Sequence, residues 1–234
     1  MNNIAIQLKI KQRLNKLASN DFDNLECWQI VEAFNKATVD WVRRQLHGTN
    51  LKKTGDEESK RRIDDLQILL TDVAISLANQ DKYVVSNGLP ENYLEWKRIA
   101  AEANNECCDE NQDLVIYLAE EGNVDVLLRD KYKKPDYEWG ETFCTLKDGN
   151  VRIYTNNDFA VENARLSYYK QPRRIEIEGC VDPYTDVVSP VDIESEFKDD
   201  IIEVLIDEAA KILAGDVESQ IQVQINKGSV EENN

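Results

Sequence analysis

The sequence predicts an α+β fold, in which N-terminal helices and a long C-terminal helix form a helical bundle and a β-rich segment occupies the middle. Three observations predict it. Residues 197–213 repeat apolar side chains at the helical period, with Ile202, Leu205, Ile206, Ala209, Ile212 and Leu213 on one side and Glu203, Asp207 and Lys211 on the other. Two amphipathic stretches near the N-terminus show the same period. From Thr71 the period changes to two. The implied division is 1–70 with 195–220 as the bundle, 71–190 as the β-rich segment, and 221–234 as a C-terminal arm.

The first helix is expected over residues 4–18, with Ile6, Ile10, Leu14 and Leu17 in one stripe, and Asn20-Asp21 breaks it. Asp23 followed by Glu26 reads as a capping box opening a second helix that runs to about Leu46 and buries Ile30, Phe34, Ala37 and Trp41. His47-Gly48 ends it. Residues 48–59 are a loop by composition, and 60–70 a shorter helix.

Strand signals follow. Val73, Ile75 and Leu77 alternate, residues 83–85 form a short strand, and Asn87-Gly88 marks a turn. Residues 89–100 read as a proline-started turn feeding a run that could be strand or helix. Residues 113–119 read as strand, 124–129 as a short element of either type, and 134–140 as a turn. Residues 142–146 and 151–154 predict a hairpin across Lys147-Asp148-Gly149-Asn150. A second hairpin is expected from 164–170 and 173–178 around Gln171-Pro172. Gly215 before Asp216 reads as the stop of the last helix. Ile221, Val223 and Ile225 then alternate with amides, as in a frayed helical extension or an extended arm that could add to a sheet edge or a neighbour's groove.

The 28 basic and 45 acidic residues give a net charge of −17, which argues against a surface that grips nucleic-acid phosphates. The balance is uneven. Lys9, Lys11, Arg13 and Lys16 lie in the first helix without an acid, whereas residues 191–234 hold three basic and twelve acidic side chains. Such asymmetry suits head-to-tail contacts between copies, although solvated helix faces also produce it. No window reaches the length of a membrane span, and the first residues lack an apolar signal core, so the chain is expected to stay where it is made. Five cysteines without a Cys-x-x-Cys spacing predict reduced structural thiols.

Chemistry has few candidates. His47 is the single histidine and sits where a cation favours a helix C-terminus. Asp200, Glu203, Asp207 and Glu208 share a helix face, and paired helical carboxylates can hold Mg²⁺; a metal-dependent nucleotide hydrolase using Asp200, Glu203 and Asp207 is therefore the enzymatic alternative. A solvated face explains the same spacing. No glycine-rich phosphate loop is present. Cys107-Cys108, among Asn, Glu and Asp, is a poor setting for a thiolate. Trp28, Trp41, Trp96 and Trp139 read as core or subunit-contact anchors. The residues point to a binding or structural protein rather than an enzyme, with no cofactor and no metal.

Two stretches resemble the head-to-tail connector proteins, the portal adaptors or gatekeepers, of short-tailed bacteriophages. One is Tyr83-Val-Val-Ser-Asn-Gly-Leu-Pro-Glu-Asn-Tyr-Leu-Glu-Trp-Lys-Arg-Ile, which is similar to the adaptors' strand, Leu-Pro-acid-Tyr-Leu turn and following strand. The other is Ala164-Arg-Leu-Ser-Tyr-Tyr-Lys-Gln-Pro, followed after Asp182-Pro183 by the helix from Phe197, which resembles their tyrosine-rich strand and closing helix. Leu25-Glu-Cys-Trp-Gln-Ile-Val-Glu-Ala-Phe-Asn-Lys is similar to ring proteins of crAss-like phages of gut Bacteroidales. The stretch 104–150 departs from simple adaptors. The resemblance implies a structural virion protein at the head-tail junction, assembled in the host cytoplasm. It would form a homo-oligomeric ring, a dodecamer, between portal protein and downstream tail or ring proteins. Double-stranded DNA would pass through its channel without specific binding, and no membrane would be involved. A C-terminal segment would dock the portal, here through Lys211, Asp216, Glu218, Ile221, Val223 and Ile225. Another tail-completion protein or a scaffold is the remaining alternative. Basic first helix and acidic C-terminal third would supply the ring's two unlike sides.

Overall fold

Ten residues decide how the sheet is built. In the computed structural model, which describes residues 1–15, 25–48, 60–105 and 108–217, β1 (Leu70–Ala74) and β2 (Leu77–Asn79) are separated by Ile75 and Ser76 alone. They nevertheless lie at opposite ends of an eight-stranded sheet of order β1-β8-β4-β5-β6-β7-β3-β2. The other strands are β3 (Tyr83–Ser86), β4 (Tyr93–Asn105), β5 (Cys108–Leu118), β6 (Glu141–Lys147), β7 (Asn150–Tyr154) and β8 (Ala160–Lys170). Residues so close in sequence reach both ends only if the sheet curls, and it forms a half-barrel. Pairing switches partner at the joint: the Ile75 N–H donates to the Ala164 carbonyl at 3.0 Å, while the Ser76 carbonyl accepts from the Asn87 N–H at 3.2 Å.

β4 and β8 form the spine of the sheet. Their antiparallel register slips after Tyr93, Trp96 and Ala100, and such bulges bend a strand and sharpen its twist. The alternation on β4 and β5 sends Ile99, Ala101, Ala103, Leu114 and Ile116 inward against Val151, Ile153, Phe159 and Val161. The β6–β7 hairpin forms where the sequence placed it, because Asp148 and Gly149 both adopt positive φ, 54° and 70°, as a two-residue primed turn demands. β5 and β6 are parallel, so residues 119–140 must cross over between them. That crossover carries a 3-10 turn and α4 (Val124–Arg129).

The chain divides into two units, Met1–Ile68 with Pro172–Asn234, and Leu69–Gln171. In the first, α1 (Asn3–Asn15) and α2 (Cys27–His47) both pack on α5 (Asp199–Val217). Ile201, Ile202, Leu205, Ile206, Ala209, Ala210 and Leu213 are buried on α5. Ile6, Ile10 and Leu14 are buried on α1, and Ile30, Phe34, Ala37, Trp41 and Val42 on α2. Trp41 meets Phe197 edge to face at 5.5 Å.

The expected architecture requires correction. The chain is α+β, but among the described residues it is organised by the curled sheet and five short helices, not by a helical bundle with a long C-terminal helix. α5 has 19 residues against 21 in α2. α1 and α2 meet each other little; each lies on α5, so no closed bundle forms. α3 (Lys60–Leu66) ends in a 3-10 turn, residues 67–69, that leads into the sheet.

Smaller corrections concern the ends of helices and the partners of single segments. α5 starts two residues later than expected and passes through Gly215 to Val217. α2 is opened by Glu26 with Gln29, whose Oε1 accepts the Glu26 N–H at 3.1 Å, whereas Asp23 lies outside the described residues. Residues 173–178 are not the second strand of a hairpin with β8, which lies between β1 and β4. Asn35 takes the ladder's place: its Oδ1 accepts the Ile175 N–H at 2.8 Å and its Nδ2 donates to the Ile175 carbonyl at 3.2 Å. Cys27 and Cys180 are joined in a disulfide, so the expectation of reduced thiols fails for this pair. Cys144 is free and buried, and burial pushes its thiol up to about 12.

Candidate interaction surfaces

The basic first helix and the acidic last helix answer each other within one chain. Arg13 Nε donates to Asp207 Oδ1 at 2.6 Å, Arg13 also reaches Glu203 at 3.4 Å, and Lys9 pairs with Glu203. The Met1 ammonium reaches Asp199 at 2.8 Å. Partners rise together in number along both helices, so α1 and α5 run in the same direction. The Asp207 hydrogen bond and charge raise the Arg13 guanidinium above its ordinary value. On α5's other flank Arg44 pairs with Glu208. Burial nevertheless raises the Glu208 carboxyl, outweighing the lowering effect of Arg44.

These pairs change the reading of α5. Glu203 and Asp207, proposed above as metal ligands, are held by cations instead. Among the described residues no group of three or more His, Cys, Asp or Glu side chains is placed to hold a metal ion. The same pairs occupy the two charged faces that were expected to join neighbouring copies. Of the expected portal-docking residues, Lys211 is exposed on α5 and Asp216 lies in its last turn. Glu218, Ile221, Val223 and Ile225 lie outside the described residues. His47 falls in the last turn of α2, before Gly48 at φ 69°.

Two other surfaces stand out. The first belongs to the sheet unit, on the crossover and the outer face of β5. Tyr132 is 85% exposed and Trp139 78% exposed, with Val115 and Val126 also open to solvent. Around Tyr132 lie exposed Arg129, Lys131, Lys133 and Lys134, against one acid in that run, Asp130. Lys131 Nζ sits 5.8 Å from the Tyr132 ring centre. The run is held in a turn: the Tyr132 N–H donates to Asp130 Oδ1 at 2.9 Å and the Lys134 N–H to the Asp130 carbonyl at 3.1 Å. At its end the Val115 N–H donates to the Gly140 carbonyl at 2.7 Å, drawing crossover and strand together. Gly140 has φ 62°, and a Cβ there would come within 3.2 Å of the Asp113 carbonyl oxygen.

The second surface belongs to the helical unit. Residues 179–189 double back, with the Ser189 N–H donating to the Cys180 carbonyl at 2.8 Å and the Asp182 N–H to the Val187 carbonyl at 3.0 Å. The disulfide ties this loop to the start of α2. Tyr184, 80% exposed, meets Trp28 edge to face at 6.5 Å. A cleft of about 380 Å³ runs between α2 and the loop, lined by Trp28, Val31, Glu32, Glu176, Asp182 and Tyr184, with Arg174 its basic member. Residues 181–196 carry five acids and no base.

The sequence offered Trp28 and Trp139 as core or subunit-contact anchors, but neither surface as a whole. The signal for the first was local: four basic residues around one tyrosine, in a chain of net charge −17. The second depends on a disulfide between cysteines 153 residues apart, which spacing does not show. Trp139 is the exposed one of the four tryptophans, whereas Trp41 is a core anchor and Trp96 packs at the margin of the sheet core. Among the described residues no helix is long and apolar enough to cross a membrane. No known protein family matches this chain, and no curated protein matches it.

Proposed function

We propose that the chain is a structural virion protein, a subunit of the head-to-tail adaptor ring that joins portal to tail and forms part of the DNA channel. The observation that carries this reading is the pair of solvent-facing aromatic surfaces, around Tyr132 with Trp139 and around Tyr184, on a chain otherwise rich in charge. Large aromatic side chains left in water on pre-shaped loops mark surfaces that are covered in an assembly. The stretch from Tyr83 to Ile99, on which the resemblance rests, runs from β3 through a turn at Gly88 into β4, in keeping with the strand, turn and strand of the adaptors. A net charge of −17 suits a channel wall that DNA slides past.

In this reading copies of the chain form a ring, a dodecamer, on the portal. The chain beyond α5 docks the portal, and tail or ring proteins bind the far side. Native mass measurement with and without portal protein tests the proposal. A ring bound to portal is expected; a chain that remains monomeric alone and with portal overturns it. Cutting the chain after Val217 keeps every described residue and is expected to abolish portal binding, and undiminished binding removes the docking role of the tail.

A further inference from the structure

We infer that the basic crossover of one copy, led by Tyr132, docks in the acidic-rimmed cleft beside Tyr184 of a second copy. The inference rests on the reading that this chain works as an oligomer, and it names the contact that builds the oligomer.

Charge selects the partner. Four cations surround Tyr132 in a strongly acidic chain, and among the described residues no ion pair engages Arg129, Lys131, Lys133 or Lys134. Opposite charge is present on the same chain: Glu32, Glu176 and Asp182 line the cleft with Arg174 as its basic member, and residues 181–196 hold four further acids. The other concentrated pair of opposite faces, on α1 and α5, is closed internally. A chain of net charge −17 repels its own copies at long range, so a contact between copies needs a local reversal of sign, and the crossover supplies it.

Shape agrees with charge. Tyr132 projects from a turn fixed by two hydrogen bonds to Asp130, so little ordering is lost when it is buried. The cleft is also fixed in advance, by the disulfide and the backbone pairs of residues 179–189. Its volume of about 380 Å³ is ample for one aromatic ring, and Trp28 and Tyr184 offer ring faces and edges to it. Knob and cleft are different surfaces, so each copy offers one of each, and one contact leaves a second knob and a second cleft for further pairing.

Two charge-reversed chains provide the test. In one, Lys131→Glu, Lys133→Glu and Lys134→Glu make the crossover acidic; in the other, Glu32→Lys and Glu176→Lys make the cleft basic. Sedimentation velocity of the wild-type chain is expected to show self-association, and each reversed chain alone to lose it by at least about tenfold in affinity. An equal mixture of the two is expected to regain it, since the acidic crossover then meets the basic cleft and the basic crossover meets the acidic cleft. Recovery on mixing also shows that both chains are folded. A monomeric wild type, wild-type association by either reversed chain alone, or a mixture no stronger than its components overturns the contact. Tyr132→Ala and Tyr184→Ala read the same contact without charge, and unchanged association in both also overturns it. The contact and the adaptor role fail separately. A chain that assembles this way but never joins portal loses only the adaptor role; one that joins portal while both reversed chains self-associate normally loses only the contact.

Discussion

Arg13 of α1 donates to Asp207 of α5 at 2.6 Å across 194 residues of sequence, and this pair joins the most basic part of the N-terminus to the acidic last helix. The asymmetry of charge along the sequence is thus an internal clamp. Arg13→Glu is expected to lower the thermal midpoint, because it sets a carboxylate against Asp207 and Glu203; Asp207→Arg in the same chain should restore much of the loss. Both effects should shrink at high salt, since the pair is open to solvent. Thermal scans of the wild type, the single variant and the double variant at two ionic strengths check this.

Asn35 is buried on α2 and supplies both a donor and an acceptor to the backbone of Ile175. Asn35→Ala leaves a buried N–H and a buried carbonyl without partners and is expected to cost about 2–4 kcal/mol. Asn35→Asp keeps the acceptor for the Ile175 N–H but sets a carboxylate oxygen against the Ile175 carbonyl. Urea unfolding of both variants reads the two losses.

The Cys27–Cys180 bond closes a loop with a sequence separation of 153 residues. Replacing both cysteines by serine is expected to lower stability by about 2–5 kcal/mol. Alkylation of the unfolded chain without reductant, followed by mass measurement, should label neither Cys27 nor Cys180. Labelling of both would show the bond absent.

Two carboxylates give the acid range opposite slopes. Hydrogen bonds from Asn163 and then Asn111 lower the Glu102 carboxyl below its ordinary value of 4.5. The native state therefore holds the anion more firmly, and this contribution is present above 4.5 and lost as pH falls through the depressed value. Burial raises Glu208 instead, so its native form keeps the proton longer, and stability falls as pH rises from 4.5 through the raised value. Glu102→Gln is expected to flatten the first limb and Glu208→Gln the second. Urea midpoints measured across the acid range separate them.

Local sequence carried the helices and much of the sheet. The stripes of α1, α2 and α5 could be read because their apolar side chains recur at one period and are buried on one side. The hairpin at Asp148-Gly149 could be read because its turn needs positive φ. What could not be read depends on partners far apart in the chain. Residues 89–100 suited strand or helix, and β8 and β5 on either side of β4 decide for strand. Residues 173–178 alternate like a strand, yet Asn35 takes the hydrogen bonds a neighbouring strand would have used. Nothing in residues 70–79 tells that these ten residues serve both ends of one sheet. For the candidate surfaces, charge counting along the chain pointed to α1 and α5, because a sequence does not show which charges meet inside a molecule.

The joint at Ile75 and Ser76 has a further consequence. Because one short run of chain is bonded to β8 by its first half and to β3 by its second, the two border strands are only five and three residues long. Border strands this short give a stray extended peptide, or a half-folded sibling emerging from the ribosome, few residues to zip onto. Short borders of this kind disfavour edge-to-edge pairing between crowded copies, and recognition among them falls to side chains, which selection can tune one at a time.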